Sequence, residues 1–207
     1  IESLKIENTV VLDLNGKTLT SSDHTHMFEF NGNQVAESTP VTINITNGTL
    51  ISGENTMWTI YSEDTNNVKG TFNLTNLTID HNMPNYGAVV AGIGNTFNAE
   101  NVNITTSYGI GFYAAGGQVV MNDCSAAVEG LHVKPYNSMA FAVCANGKMT
   151  INSGEYSAAP VAESDANNQG TSHGSWCGGI MNSGGTLIIN GGTFSNDNFG
   201  DNNLATA

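Results

Sequence analysis

A small group of aromatic, acidic and basic residues could form a binding or catalytic site in this 207-residue sequence: Tyr61, Tyr113, Glu129, His132 and Lys134. A tyrosine ring combines an apolar face with a polar edge, so it can stack on a sugar ring. A histidine or lysine could remove the proton next to a uronate carboxylate, which is the β-elimination route. A surface with these residue types could bind carbohydrate. Tyr113, His132 and Lys134 are the candidates for catalysis if the chain is an enzyme.

The other candidate residues stand alone. A glycoside hydrolase needs two carboxylates about 5–9.5 Å apart, and neither Asp80 nor Asp123 has an evident acidic partner. His24 and His26 lie two residues apart and could ligate a metal from one face of a strand, but no third ligand is evident. We therefore expect no cofactor, with bound Ca²⁺ as the alternative.

Charge limits the partners. The chain has 5 Lys+Arg, all of them lysine, against 18 Asp+Glu, for a net charge of −13. Nucleic-acid binding needs a basic surface that releases counterions, so no nucleic-acid partner is expected. An anionic membrane surface would repel the chain, and no segment approaches about 18 consecutive apolar residues, so no membrane insertion is expected. The charge also repels polyuronates, unless Ca²⁺ bridges them.

Three cysteines cannot all pair with one another. Cys124, Cys144 and Cys177 have spacings that match no common metal motif. We expect buried thiols that pack as small hydrophobic side chains, and a Cys144–Cys177 disulfide is the alternative.

A repeat is the strongest signal in the chain. Seven segments share the order apolar, any, apolar, polar, polar, small, polar, apolar, and they begin at residues 12, 43, 72, 97, 119, 149 and 187. Alternation predicts a strand, and the Asn or Gly in the middle predicts a bend. A further short strand precedes most segments, and no helical interval separates them. This pattern predicts an all-β fold, a parallel β-helix of about seven coils.

Stacked coils would align equivalent residues in columns. One interior column is expected from Leu14, Ile45, Leu74, Ala99, Met121, Ile151 and Ile189, and a second from Leu19, Leu50, Ile79, Ile104, Ala126, Tyr156 and Phe194. An outward row should contain Thr18, Thr49, Thr78, Asn103, Ser125, Glu155 and Thr193. Asparagines at the bends should form hydrogen-bonded ladders, which accounts for the 29 Asn of the chain.

The candidate site residues can be placed by aligning Gly87, Gly109 and Gly130. This alignment predicts an outward row of Val89, Gly111 and His132, extended by Glu29 and Thr59. The next row would hold Ala91, Tyr113 and Lys134, extended by Asn31 and Tyr61.

The segments 12–19 (LDLNGKTL) and 185–194 (GTLIINGGTF), with the repeat between them, resemble the pectin-lyase-like superfamily of right-handed parallel β-helices. Within it they are similar to adhesin-like surface proteins of gut bacteria and archaea. The resemblance implies a single domain over 1–207, cut from a larger extracellular or cell-surface protein.

That resemblance implies a glycan-binding module whose partner is a carbohydrate or a host or cell-surface glycoconjugate. The alternatives are a polysaccharide lyase or glycoside hydrolase that acts on the outer sheet face, and a passive stalk. Lyases of this superfamily typically use arginine, which this chain lacks, so a non-catalytic module is favoured.

Overall fold

The computed structural model describes residues 3–21, 25–36, 39–83, 86–106, 109–128, 138–158 and 180–196. These residues form β-strands and connecting turns, with no helix among them, and therefore no helix that could cross a membrane. The strands are β1 (Leu4–Ile6), β2 (Val10–Asp13), β3 (Thr18–Ser21), β4 (His26–Phe30), β5 (Val41–Ser52), β6 (Trp58–Ser62), β7 (Gly70–His81), β8 (Gly87–Gly92), β9 (Thr96–Thr106), β10 (Gly109–Ala115), β11 (Gln118–Asn122), β12 (Cys124–Val128), β13 (Ser138–Cys144), β14 (Lys148–Ile151), β15 (Gly154–Ala158), β16 (Ile180–Ser183), β17 (Thr186–Ile189) and β18 (Thr193–Asn196).

The chain alternates between two sheets. The first sheet has the order β1-β4-β6-β8-β10-β13-β16, and the other eleven strands form the second sheet. Each repeat crosses the second sheet as two segments around a bend, and β5, β7 and β9 run through that bend as single long strands. The strand pairings are parallel. The predicted all-β class is confirmed, and the parallel sheets are compatible with a β-helix.

Side chains of both sheets form one buried core. The register of the second column is confirmed along its whole length, from Leu19↔Leu50 to Tyr156↔Phe194. Its last member, Phe194, is 37% exposed rather than interior. The outward row that starts at Thr18 is confirmed by the same pairings. Inward and outward residues alternate in this half of the sheet because successive side chains of a strand point to opposite faces.

The prediction for the first interior column was wrong at its first member. Leu12, not Leu14, pairs with Ile45. The bend of the first repeat consists of residues 14–17, and the bend of the second repeat consists of residues 47–48. The first bend is therefore two residues longer. Leu14 turns into this bend, where it is 8% exposed and occupies the space beside Gly48.

Asparagine ladders hold the bends together, as predicted. Asn47, Asn76 and Asn101 have φ of 59°, 53° and 50°, a region that asparagine tolerates better than most residues. Asn76 Nδ2 donates to Asn47 Oδ1 over 3.1 Å, and Asn101 Nδ2 donates to Asn76 Oδ1 over 2.9 Å. Two further ladders join Asn44–Asn73–Asn98 and Asn122–Asn152–Asn190. The ladders link successive repeats at the same point of each turn.

Candidate functional site

A second hydrophobic cluster, separate from the core, lies on the outward side of the first sheet. We define the aromatic face as the four rings of this cluster together with a histidine that stacks on one of them: Trp58, Tyr61, Tyr86, Tyr113 and His26. The three tyrosine rings are partly exposed, whereas Trp58 is only 8% exposed. The first sheet therefore carries rings on its outer surface as well as in the core.

The local strand geometry separates these two sets of rings. In β6, Trp58 and Tyr61 join the outer cluster, while Ile60 joins the core and Thr59 hydrogen-bonds within it. Because Thr59 and Ile60 both point inward, the residues on either side of them, Trp58 and Tyr61, lie on the same outer surface. The same arrangement recurs in β8, where Ala88 and Val89 both belong to the core.

Gly87 lets Trp58 lie across a neighbouring strand. A Cβ at Gly87 would lie 2.8 Å from Cζ3 of the Trp58 indole and would also collide with the carbonyl oxygen of Ile110. Without that Cβ, the indole reaches Tyr113, with ring centroids 5.9 Å apart and planes 17° apart. Tyr86 meets the same indole edge-on at 6.2 Å. Trp58 thus supports both tyrosines from one position.

His26 and Tyr61 form a second stacked pair. Their ring centroids lie 4.1 Å apart and their planes are 6° apart. Burial lowers the pKa of His26 to about 4, and its Nδ1 is buried with no hydrogen-bond partner in the described part of the chain. Burial, together with the carboxylates of Glu63 and Asp64, raises the pKa of Tyr61. At neutral pH both rings are therefore uncharged.

Tyr113 contacts a cysteine at the edge of the face. Its hydroxyl lies 3.0 Å from Cys144 Sγ, and burial and this contact raise the pKa of the phenol. Cys124 and Cys144 are free thiols, so the disulfide left open by the sequence is not formed at Cys144, while Cys177 lies outside the described residues. Cys124 is a buried thiol, as expected, with a pKa raised by burial to about 11.

The predicted alignment of the site was wrong by one residue. Gly87 pairs with Ile110 rather than with Gly109, which has a φ of +113° and precedes that pairing. Val89, predicted outward beside Gly111, instead pairs with Phe112 and is fully buried, and Thr59 is also buried rather than outward.

The structure brings together two of the five predicted site residues. Tyr61 and Tyr113 lie in one outward row, separated by Val90 of the strand between them. Glu29, rather than Asn31, pairs with Tyr61 in that row. On the other side of Tyr113 the row continues with Ala142 of β13, at the position that the alignment had assigned to Lys134. Glu129, His132 and Lys134 lie outside the described residues.

Sequence reasoning missed three members of the face. Trp58 is the first residue of β6, and Tyr86 directly precedes β8. This recurrence of an aromatic residue at the start of a strand was the sequence signal that could have identified both. His26 had been considered only as a metal ligand with His24, which lies outside the described residues. In the described ranges no group of three or more His, Cys, Asp or Glu side chains could hold a metal ion.

A buried polar cluster lies inside the stack. His81 Nδ1 lies 2.9 Å from Ser52 Oγ and 3.1 Å from Thr59 Oγ1, and His81 Nε2 lies 3.2 Å from the carbonyl oxygen of Met83. Donation from Nε2 to this carbonyl leaves Nδ1 as the acceptor for the hydroxyls. A serine beside a histidine resembles a hydrolase nucleophile, but all three polar side chains are fully buried, so no substrate reaches them. The cluster stabilises the interior.

Asp80 lies on the outward side of the second sheet, between Ile51 and Thr105 of the neighbouring strands. Neither strand neighbour in its row is acidic, so a carboxylate pair is not formed there.

No family model matches this chain, and searches of curated proteins and of solved structures find no significant match. The function must therefore be argued from the geometry of the aromatic face.

Proposed function

We propose that the chain is a single right-handed parallel β-helix domain of about seven coils, related to the pectin-lyase-like superfamily and its adhesin-like surface proteins. Support comes from the alternation of the chain between two parallel sheets and from the asparagine ladders. The right hand is favoured because connections between parallel strands of one sheet are right-handed in about 98% of proteins.

We further propose that it is an extracellular module that binds carbohydrate and does not transform it. The observation that carries this proposal is the aromatic face, where partly exposed tyrosines lie on a rigid sheet and Trp58 backs two of them. Rings that are already held in place lose little conformational freedom when a sugar stacks on them. The ligand class is a glycan or a glycoconjugate on another surface.

The protonation states on this face favour binding over catalysis. The raised pKa of Tyr113 keeps its phenol protonated at neutral pH, so it cannot act as a general base there. The lowered pKa of His26 keeps that ring neutral, but its Nδ1 is buried. Among the described members of the face, none is prepared for proton transfer.

A glycan array with matched variants tests the proposal. We expect Tyr61→Ala and Tyr113→Ala each to weaken binding roughly tenfold, because stacking of one ring is worth about 1.4 kcal/mol. Tyr113→Phe should retain most of the affinity because it keeps the ring. Thr78→Ala, an exposed substitution on the second sheet, is the control.

Two outcomes would replace the proposal. An increase in absorbance at 235 nm or in reducing ends on incubation with a polysaccharide would establish the enzyme alternative. Absence of both binding and turnover across the array would favour a passive stalk.

A further inference from the structure

A polar groove lies away from the aromatic face, at the corner where each repeat passes from the first sheet to the second. We define it as the corner groove, with side chains from Lys69, Thr96, Gln118, Asn146, Lys148 and Thr186 along it. Its volume is about 580 Å³. Thr96, Gln118, Lys148 and Thr186 belong to one row of the second sheet, so the groove follows the stacking direction of the strands.

The groove stays open because its floor is bare backbone. Gly117, Gly147 and Gly185 occupy equivalent positions, and a Cβ at any of them would collide with a carbonyl oxygen of the preceding repeat. The residue before each of these glycines has a positive φ: Gly116, Asn146 and Gly184. This conformation turns the chain sharply between the two sheets. No side chain at these floor positions can fill the space.

Two of the five lysines of this acidic chain line the groove. Lys69 and Lys148 are exposed, and neither ammonium group has a carboxylate partner within the described ranges. Lys148 opens β14, and Lys69 immediately precedes β7, three strands away in the second sheet and two residues before Thr71 of the same row. At the usual strand spacing and rise per residue, their backbones are about 16 Å apart. Two unpaired positive charges at this separation suit a linear ligand with more than one negative charge.

We propose that the corner groove binds an acidic oligosaccharide, with Lys69 and Lys148 contacting carboxylates of different sugar units. The hydroxyl and amide groups of Thr96, Gln118 and Asn146 would contact the sugar hydroxyls between them. This site is separate from the aromatic face and does not depend on the function proposed for it.

The lining favours a sugar over an acidic peptide. Apart from the two lysine stems, the described residues along the groove are glycines and side chains with amides or hydroxyls, and no apolar pocket is present among them for a peptide side chain. The net charge of −13 acts against any anion at long range, but it is screened over about 8 Å in physiological salt. Close contact with the lysines therefore determines the local affinity.

Binding of a galacturonate hexamer, measured by calorimetry in the presence of EDTA, tests the proposal without Ca²⁺ bridging. We expect Lys69→Gln and Lys148→Gln each to weaken binding roughly fivefold, and the double variant by more than tenfold, since each removes one charge-assisted contact. Lys148→Arg should retain binding. Lys17→Gln, at an exposed bend outside the groove, is the matched control.

The methyl-esterified hexamer separates charge from shape, because it keeps the sugar chain and removes the carboxylates. We expect it to bind at least tenfold more weakly than the acid. Equal binding of the ester, unchanged binding by the double variant, or tighter binding of a hexaglutamate peptide would each overturn the proposal. If Tyr113→Ala binds the acidic hexamer with unchanged affinity, the groove acts apart from the aromatic face. If that variant loses tenfold in affinity, the hexamer binds on the aromatic face instead, and the proposal is wrong.

Discussion

The indole ring of Trp58 stacks on the phenol ring of Tyr113 across an intervening strand, with the centroids 5.9 Å apart. Trp58 belongs to β6 and Tyr113 to β10, and Gly87 of β8 lies between them. Rings on adjacent strands meet through ordinary pairing, but this contact spans two strand spacings and depends on a missing side chain. Gly87 therefore organises the aromatic face although it contributes no ring to it.

Replacement of Gly87 should disrupt this contact. We expect Gly87→Ala to destabilise the protein by about 2 kcal/mol or more, because the new Cβ collides with backbone as well as with the indole. Urea denaturation measures the loss, and near-ultraviolet circular dichroism should show a changed tryptophan environment.

The matched control is Gly16→Ala, at an exposed bend with no atom within 4 Å of the new Cβ. Its φ of +73° should cost about 1 kcal/mol, without any change in the tryptophan signal. A Gly87→Ala protein with unchanged stability and spectrum would show that Trp58 does not need this space.

The asparagine ladder predicts an ordered series of variants at Asn76. Asn76→Gly keeps the positive φ but loses two exposed side-chain hydrogen bonds, so we expect a loss of about 1 kcal/mol. Asn76→Ala loses the same bonds and also strains the backbone, which should cost about 1 kcal/mol more. Chemical denaturation of the three proteins checks the order. Equal stability of the glycine and alanine variants would mean that the backbone strain is relieved.

Acid should weaken the protein through its buried histidine. Burial lowers the pKa of His81 from 6.5 to about 4, so the unfolded chain takes up this proton before the folded protein does. The stabilisation is complete above about pH 6.5 and is lost as the pH falls towards 4, by up to about 3 kcal/mol at 1.36 kcal/mol per pKa unit. Urea unfolding at several pH values measures this slope.

His81→Gln provides the comparison, because glutamine can still donate to the Met83 carbonyl but does not titrate. The variant should be less stable at pH 7 and should show a smaller decrease between pH 6.5 and 4. His26, with a similarly lowered pKa, would account for the remaining slope. An unchanged slope in the variant would show that His81 is not the group responsible.

Sequence reasoning succeeded in the second sheet and was less accurate in the first. In the second sheet, apolar residues alternate around a bend marked by asparagine, and the seven-member column from Leu19 to Phe194 could be read directly. In the first sheet, Ala88 and Val89 both point inward, which breaks the alternation on which such a reading depends. Alignment by glycine then placed Tyr113 beside the wrong neighbour.

The candidate site, too, could be predicted from the sequence only in part. Residue type and the repeat indicated that Tyr61 and Tyr113 would share an outward row. That Trp58 reaches Tyr113 could not be predicted, because this contact depends on the space left by a glycine one strand away. The lysines of the corner groove were also not recognised, since 78 residues separate Lys69 from Lys148 and only strand stacking brings them to one surface.

By itself, the sequence determined the all-β class, the bends and most of the core columns, because these follow from local alternation and from residues that tolerate positive φ. The tertiary structure alone decided the register of the first sheet, the aromatic stack across Gly87 and the corner groove. Each of these depends on how one repeat rests on the next, and stacking register is a contact between distant segments that local patterns do not encode.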